Sequence, residues 1–183
     1  MTTTPAEAES VEDGLLLLID DEWRSTAAEP DPPVSAVLGA WPVTDGTRGR
    51  FQPNPVYQPS SPDSPLDPVD AVLREAARGG PADELPALLR DAVLGIAVDE
   101  EGSAVVGPTP DGAHAVLVTT APGHRPRVDA PHWFPVDVHQ LAASLPERGV
   151  DVLLNPGGPA AMRVPAEVIR SIAAVDREAD QEQ

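Results

Sequence analysis

The chain has 183 residues, room for one ordinary domain with tails, and a formal net charge of −18 with a pI near 4.3. A surface of that sign repels phosphate backbones and anionic lipid, which argues against nucleic-acid partners and favours basic protein surfaces. There is no cysteine and no lysine, all 12 basic residues being arginine, so disulfides, thiolate chemistry, Schiff bases and a phosphate-loop lysine are excluded.

Residues 1–12 are small, polar and acidic and read as a disordered tail. They hold no basic segment ahead of an apolar stretch. The run Leu15–Ile19 is far short of the roughly 20 apolar residues a spanning helix needs. No export signal or membrane insertion is expected, and the expected location is the cytoplasm. Leu15–Ile19 itself, bounded by Gly14 and Asp20-Asp21, reads as a short buried strand.

From Pro30 to Pro68 the chain spends 10 of its 23 prolines, as a linker would. Yet Trp41, Phe51 and Tyr57 lie inside this stretch and Trp23 just before it, four of the six aromatics. The segment 13–66 is therefore expected to be an ordered, irregular arm wrapped on the domain. Within it, Val37–Val43 and Gly49–Gln52 flank the hairpin-type turn Asp45-Gly46.

An α+β core is expected over 67–175. Asp67 is a good N-cap, Pro68 suits the first helical position, and Val69, Val72, Leu73, Ala76 and Ala77 form one apolar face that Gly79-Gly80 ends. A second helix starts near Asp83 with Pro86 in its first turn. Val93–Asp99 and Ser103–Gly107 then read as a hairpin around Glu100–Gly102, and Ala113–Thr120 as a central strand. Trp133–Val138 is a weaker strand broken by Pro135, His139–Leu145 a short helix, and Val150–Asn155 a second buried strand. Glu167–Val175 makes the last amphipathic helix, followed by a polar tail over 176–183. Strands outnumber helices without strict alternation. The expected fold is thus α+β: a mixed, mainly antiparallel sheet with about three helices packed on it, plus the Pro-rich N-terminal arm.

Two Asn-Pro steps stand out, Asn54-Pro55 and Asn155-Pro156, the second continuing into Gly157-Gly158. Proline pushes the preceding residue to extended backbone, and the Asn side chain then closes a turn on N–H groups beyond it. Gly157-Gly158 is a poor phosphate cradle, since Pro156 and Pro159 delete donors and no helix follows directly. His124 and His132 share a loop with Arg125, Arg127 and Asp129, which reads as a solvated basic loop. Neither its spacing nor its arginines suit a metal, and no cofactor is expected. No Gly-x-Ser-x-Gly occurs, and the acidic pairs sit in turns. No catalytic residue is assigned. The candidate binding residues are Trp41, Phe51 and Tyr57 of the arm, and His124, Arg125, Arg127 and Trp133 around the loop.

The order Trp41…Gly49-Arg50-Phe51…Asn54-Pro55…Tyr57…Pro59, then Ser64-Pro65…Asp67–Leu73, then Asp151–Pro159 resembles actinobacterial type VII secretion system-associated proteins related to the SseB N-terminal domain. The resemblance covers roughly residues 14–170. It implies one domain over 13–175 and an accessory or adaptor role, binding a secretion substrate or a machinery component. It brings no catalytic residues, and the second, C-terminal domain of full-length SseB proteins has no counterpart here. An immunity-type protein that neutralises a toxin is the alternative expectation, with an enzyme behind both.

Overall fold

The computed structural model describes residues 13–109 and 111–179, so the expected tail over 1–12 and the last residues, 180–183, lie outside the described residues. The chain folds into two sheets where one was expected. The first is built from the N-terminal segment: β1 (Gly14–Ile19), β2 (Val37–Thr44), β3 (Thr47–Arg48) and β4 (Gln52–Pro53). The long strand β2 is its centre, paired antiparallel with β1 on one side and with β3 and β4 on the other. The Asp45-Gly46 turn joins β2 to β3 with positive φ at both residues, as a two-residue turn between right-twisted strands requires. The proline-rich arm is thus less irregular than its composition implies, because only Pro42 and Pro53 of its prolines fall within strands and the others lie in the connections.

The Trp41 and Phe51 rings meet in this sheet at 4.8 Å between centres, tilted by 56°. Gly39 makes room for them: a Cβ there would lie 2.4 Å from both the Phe51 ring and the Gln52 carbonyl. The strand read as buried, Leu15–Ile19, is instead an exposed edge. Leu15, Leu16 and Leu17 are 65%, 51% and 43% exposed, because β1 has a neighbour on one side only and neither of its faces is covered.

The second sheet has six strands: β5 (Leu94–Val98), β6 (Val106–Pro108), β7 (His114–Thr119), β8 (His132–Val136), β9 (Asp151–Leu154) and β10 (Met162–Val164). Their order is β10-β9-β7-β5-β8, with β6 beside β7. All pairings are antiparallel except β7 with β9. Four α-helices, each at a place read as helical, are α1 (Pro68–Ala77), α2 (Leu85–Asp91), α3 (Val138–Ser144) and α4 (Ala166–Ala179). The period-two pattern explains their placement. Leu94, Ile96, Val116, Val118, Val136, Val152, Leu154 and Val164 all point to one face. That face meets Val69 and Leu73 of α1, Leu85 and Leu89 of α2, Leu141 of α3, and Ile169 and Ile172 of α4. Asp67 caps α1 by accepting from the Val69 and Asp70 N–H groups, and Asp137 and Gln140 form a reciprocal capping box on α3. Two features escaped the sequence reading. β10 is only three residues long, and α4 continues to Ala179 beyond the expected end at Val175.

Candidate functional site

At one end of the large sheet the chain gathers most of the buried polar side chains among the described residues. β7 runs out into Thr119-Thr120, the parallel β9 ends beside it in Asn155, and α1 begins there with Asp67 and Asp70. A six-residue 3-10 segment, Pro122–Arg127, brings His124 against both carboxylates. The Thr120 hydroxyl donates to Asp67 at 2.6 Å and accepts from the Asn155 amide at 2.9 Å. The Asn155 side-chain oxygen accepts the Thr120 backbone N–H at 2.9 Å. Asp70 is clamped by Arg74 at 3.0 Å and by the Leu66 N–H at 3.0 Å.

These findings correct the expectation of a solvated basic loop at His124 alone, since Arg127, Asp129 and His132 are exposed as expected and Arg125 is half-buried. His124 is 0% exposed. Its Nδ1 lies 3.2 Å from the Arg127 guanidinium, which can only donate, so Nδ1 is the acceptor. Nε2 then carries the proton and faces Asp67 and Asp70 at 3.6 and 3.8 Å. An acid–histidine–threonine grouping of this composition has the ingredients of proton transfer, but every member is sealed from solvent. Chemically it fixes the end of α1 to the ends of β7 and β9.

Asn155 also departs from expectation. Its φ is +49, in the left-handed region and not extended, and its side chain crosses to Thr120 where a local turn was predicted. A donor and an acceptor on Thr120, at the end of a neighbouring strand, outweigh the local preference. The turn is closed by backbone, Gly158 N–H to Asn155 carbonyl at 2.9 Å. Gly157 and Gly158 let this turn lie on the 3-10 segment: a Cβ at Gly157 would meet the Arg127 carbonyl at 3.1 Å, and one at Gly158 the Asn155 carbonyl at 2.9 Å. Pro156, which precedes them, is buried. At Asn54, by contrast, the side chain accepts the Val56 N–H at 3.1 Å and donates to the Val34 and Val37 carbonyls, each at 2.8 Å, with Pro55 exposed beside it.

The candidate aromatic residues divide. Phe51 is 6% exposed and belongs to the interior of the small sheet, whereas Trp41 is half-buried, with Arg48 over its ring at 5.2 Å. The Tyr57 hydroxyl donates to Asp20 at 2.7 Å, and burial together with that carboxylate pushes it above the ordinary phenol value. Burial on its own would raise the Asp20 carboxyl, but the Ser60 and Glu22 N–H groups and Tyr57 overcome that and hold it at about 2. Arg125 lies over the Trp133 ring at 5.5 Å, above Gly95 on the helix-free face of the large sheet. The two candidate clusters therefore stay apart as presented surfaces. Sequence reasoning missed Asp20 and Thr120, whose partners Tyr57, Ser60, Asp67 and Asn155 lie far along the chain, and it missed the i,i+4 pair Asp70–Arg74 because spacing along a helix does not show that the pair is buried.

On the same helix-free face a cleft of about 640 Å³ is floored by Leu117 and Leu153 and walled by Pro156 and Gly157. Its one cation, Arg163, is already bridged to Asp111 and Asp151, both at 3.0 Å. Among the described residues no cluster of side chains could hold a metal ion, and no helix is long and apolar enough to cross a membrane. No protein-family model, curated protein or solved structure matches this chain.

Proposed function

We propose that the protein is a non-enzymatic accessory of a type VII secretion system that binds a secretion substrate or a machinery component in the cytoplasm. The observation that carries the binding role is the exposed edge strand β1. Three consecutive leucines in water are costly, and contiguous apolar surface of this kind marks interaction sites. The order of the Trp, Asn-Pro and Asn-Pro-Gly-Gly motifs supports the choice of system. The burial of the acid–histidine cluster and the prior pairing of Arg163 support a role without chemistry.

The test is affinity capture from the cells that express the protein, with the Leu15→Ser/Leu17→Ser variant as control. Recovery of a secretion component by the wild type and its loss in the variant is the expected result. A leucine-dependent partner that is a toxin would replace this reading with an immunity role. Absence of any leucine-dependent partner would remove the binding role altogether.

A further inference from the structure

Among the described residues, each edge strand except one carries a device against further pairing. β8 has Pro135, β4 has Pro53, β6 has Pro108, and the short strands β3 and β10 have Arg48 and Arg163. Proline removes a ladder donor and charge opposes stacking, which are the usual ways natural sheets blunt their edges. β1 has neither. It is six residues long, contains no charge and no proline between Gly14 and Ile19, and pairs only with β2 among the described residues.

The backbone of this edge is open as well. The Pro42 carbonyl accepts from Gly49, and the Leu38 carbonyl from Asn54, so the even-numbered residues of β2 face β3 and β4. The odd-numbered residues Gly39, Trp41 and Val43 therefore face β1, where their partners are Leu18, Leu16 and Gly14. By alternation, the N–H and C=O groups of Leu15 and Leu17 point away from the sheet. Their side chains lie on one face and that of Leu16 on the other, all exposed.

From this geometry we infer that β1 accepts an added strand from another protein, and that the strand is a continuous apolar run with basic flanks. The inference rests on the binding role proposed above and specifies its mode. The open backbone groups select an extended segment, since only a strand satisfies them in register. Exposed leucines on both faces select a run without polar alternation. Charge selects the flanks: Asp13 and Asp45 lie at one end of β1 and Asp21 and Glu22 at the other, all exposed, on a protein of net charge −18. Self-pairing of two antiparallel β1 strands would set Asp13 of one copy near Asp21 of the next, so a second copy is the poorer occupant. The sequence of residues 1–12 offers no apolar run to fill the place.

Two labelled peptides test this, each with five alternating valine and isoleucine residues, flanked on both sides by two arginines in one and two glutamates in the other. Binding of the arginine-flanked peptide is expected at low salt, with the glutamate-flanked one weaker by about tenfold or more and the gap closing as salt rises. Leu17→Pro is the decisive variant. It removes an outward N–H without touching a bond to β2, so folding is retained while peptide affinity falls by about tenfold or more. Leu15→Ser/Leu17→Ser, which keeps the whole backbone, is expected to lose affinity as well. Equal binding of the two peptides, full affinity in Leu17→Pro, or a wild-type dimer that this variant turns into monomer would each overturn the inference. A native partner retained by Leu17→Pro but lost by the double serine variant would overturn strand addition alone and leave the accessory role standing.

Discussion

Single side chains in this protein hold segments that are distant in sequence, and Asn155 is the clearest case. It satisfies the backbone N–H and the hydroxyl of Thr120 from a left-handed conformation that Asn tolerates and most residues do not. Asn155→Ala leaves buried groups unpaired and adds backbone strain, so a loss of about 2–4 kcal/mol in urea unfolding is expected. Asp20 gives a pH signature. Its folded value of about 2 lies below the ordinary 3.8, so its contribution is complete above about pH 4 and is lost as pH falls towards 2. The shift corresponds to about 2 kcal/mol of acid sensitivity. Acid titration of Asp20→Asn, followed by circular dichroism, should be flatter over that window. At this scale the sequence was partly legible. Asn54 and Asn155 announce turns through the proline that follows each, but Thr120, 35 residues from Asn155, has nothing local to mark it. His124 looked solvated because its neighbours in sequence are arginines, whereas in space it also faces the buried Asp67 and Asp70.

At the scale of elements, local chemistry carried further. The cap and first-turn proline of α1 and the Asp45-Gly46 turn are written in adjacent residues, and each forms as read. β10 was invisible because three residues do not establish a period, and it exists only through β9. Burial of β1 was misjudged for a different reason: an apolar run reports a strand without reporting what covers it. Two expectations follow for the small sheet. Gly39→Ala would drive a methyl into the Phe51 ring and the Gln52 carbonyl, so a loss of about 1–3 kcal/mol is expected, with a weakened near-ultraviolet signal from Trp41. Hydrogen exchange should divide β1 by parity, the Leu15 and Leu17 amides exchanging fast and those of Leu16 and Leu18 slowly. Uniform protection along the strand would mean that its outer edge is already paired.

For the whole molecule, the question is how a small sheet of residues 14–53 stays attached to a core of residues 67–175. The exposed bridges Arg48–Asp91 at 3.4 Å and Arg50–Asp137 at 3.5 Å contribute little, each worth under about 1 kcal/mol. Attachment depends on the connecting segment, where Asp20 binds Tyr57 and Ser60, Leu66 bonds to Asp70, and the Asp67 cap reaches Thr120. A single tryptophan kept at position 41, with Trp23→Phe and Trp133→Phe, would report on the small sheet. Its unfolding is expected to coincide with the loss of helical signal. Asp20→Ala on that background should make the Trp41 transition come first.

The spacing of these contacts along the chain also gives synthesis a direction. Every pairing of the small sheet lies within residues 14–53, so it can close as soon as that stretch leaves the ribosome. The partners of Asp67, by contrast, are Thr120 and His124, and the Asn155 that orders Thr120 is translated later still. At about 5–20 residues per second the leucine edge is displayed for several seconds before the core of the large sheet can lock. The nascent chain, and not only the finished protein, is therefore a form that a partner can meet.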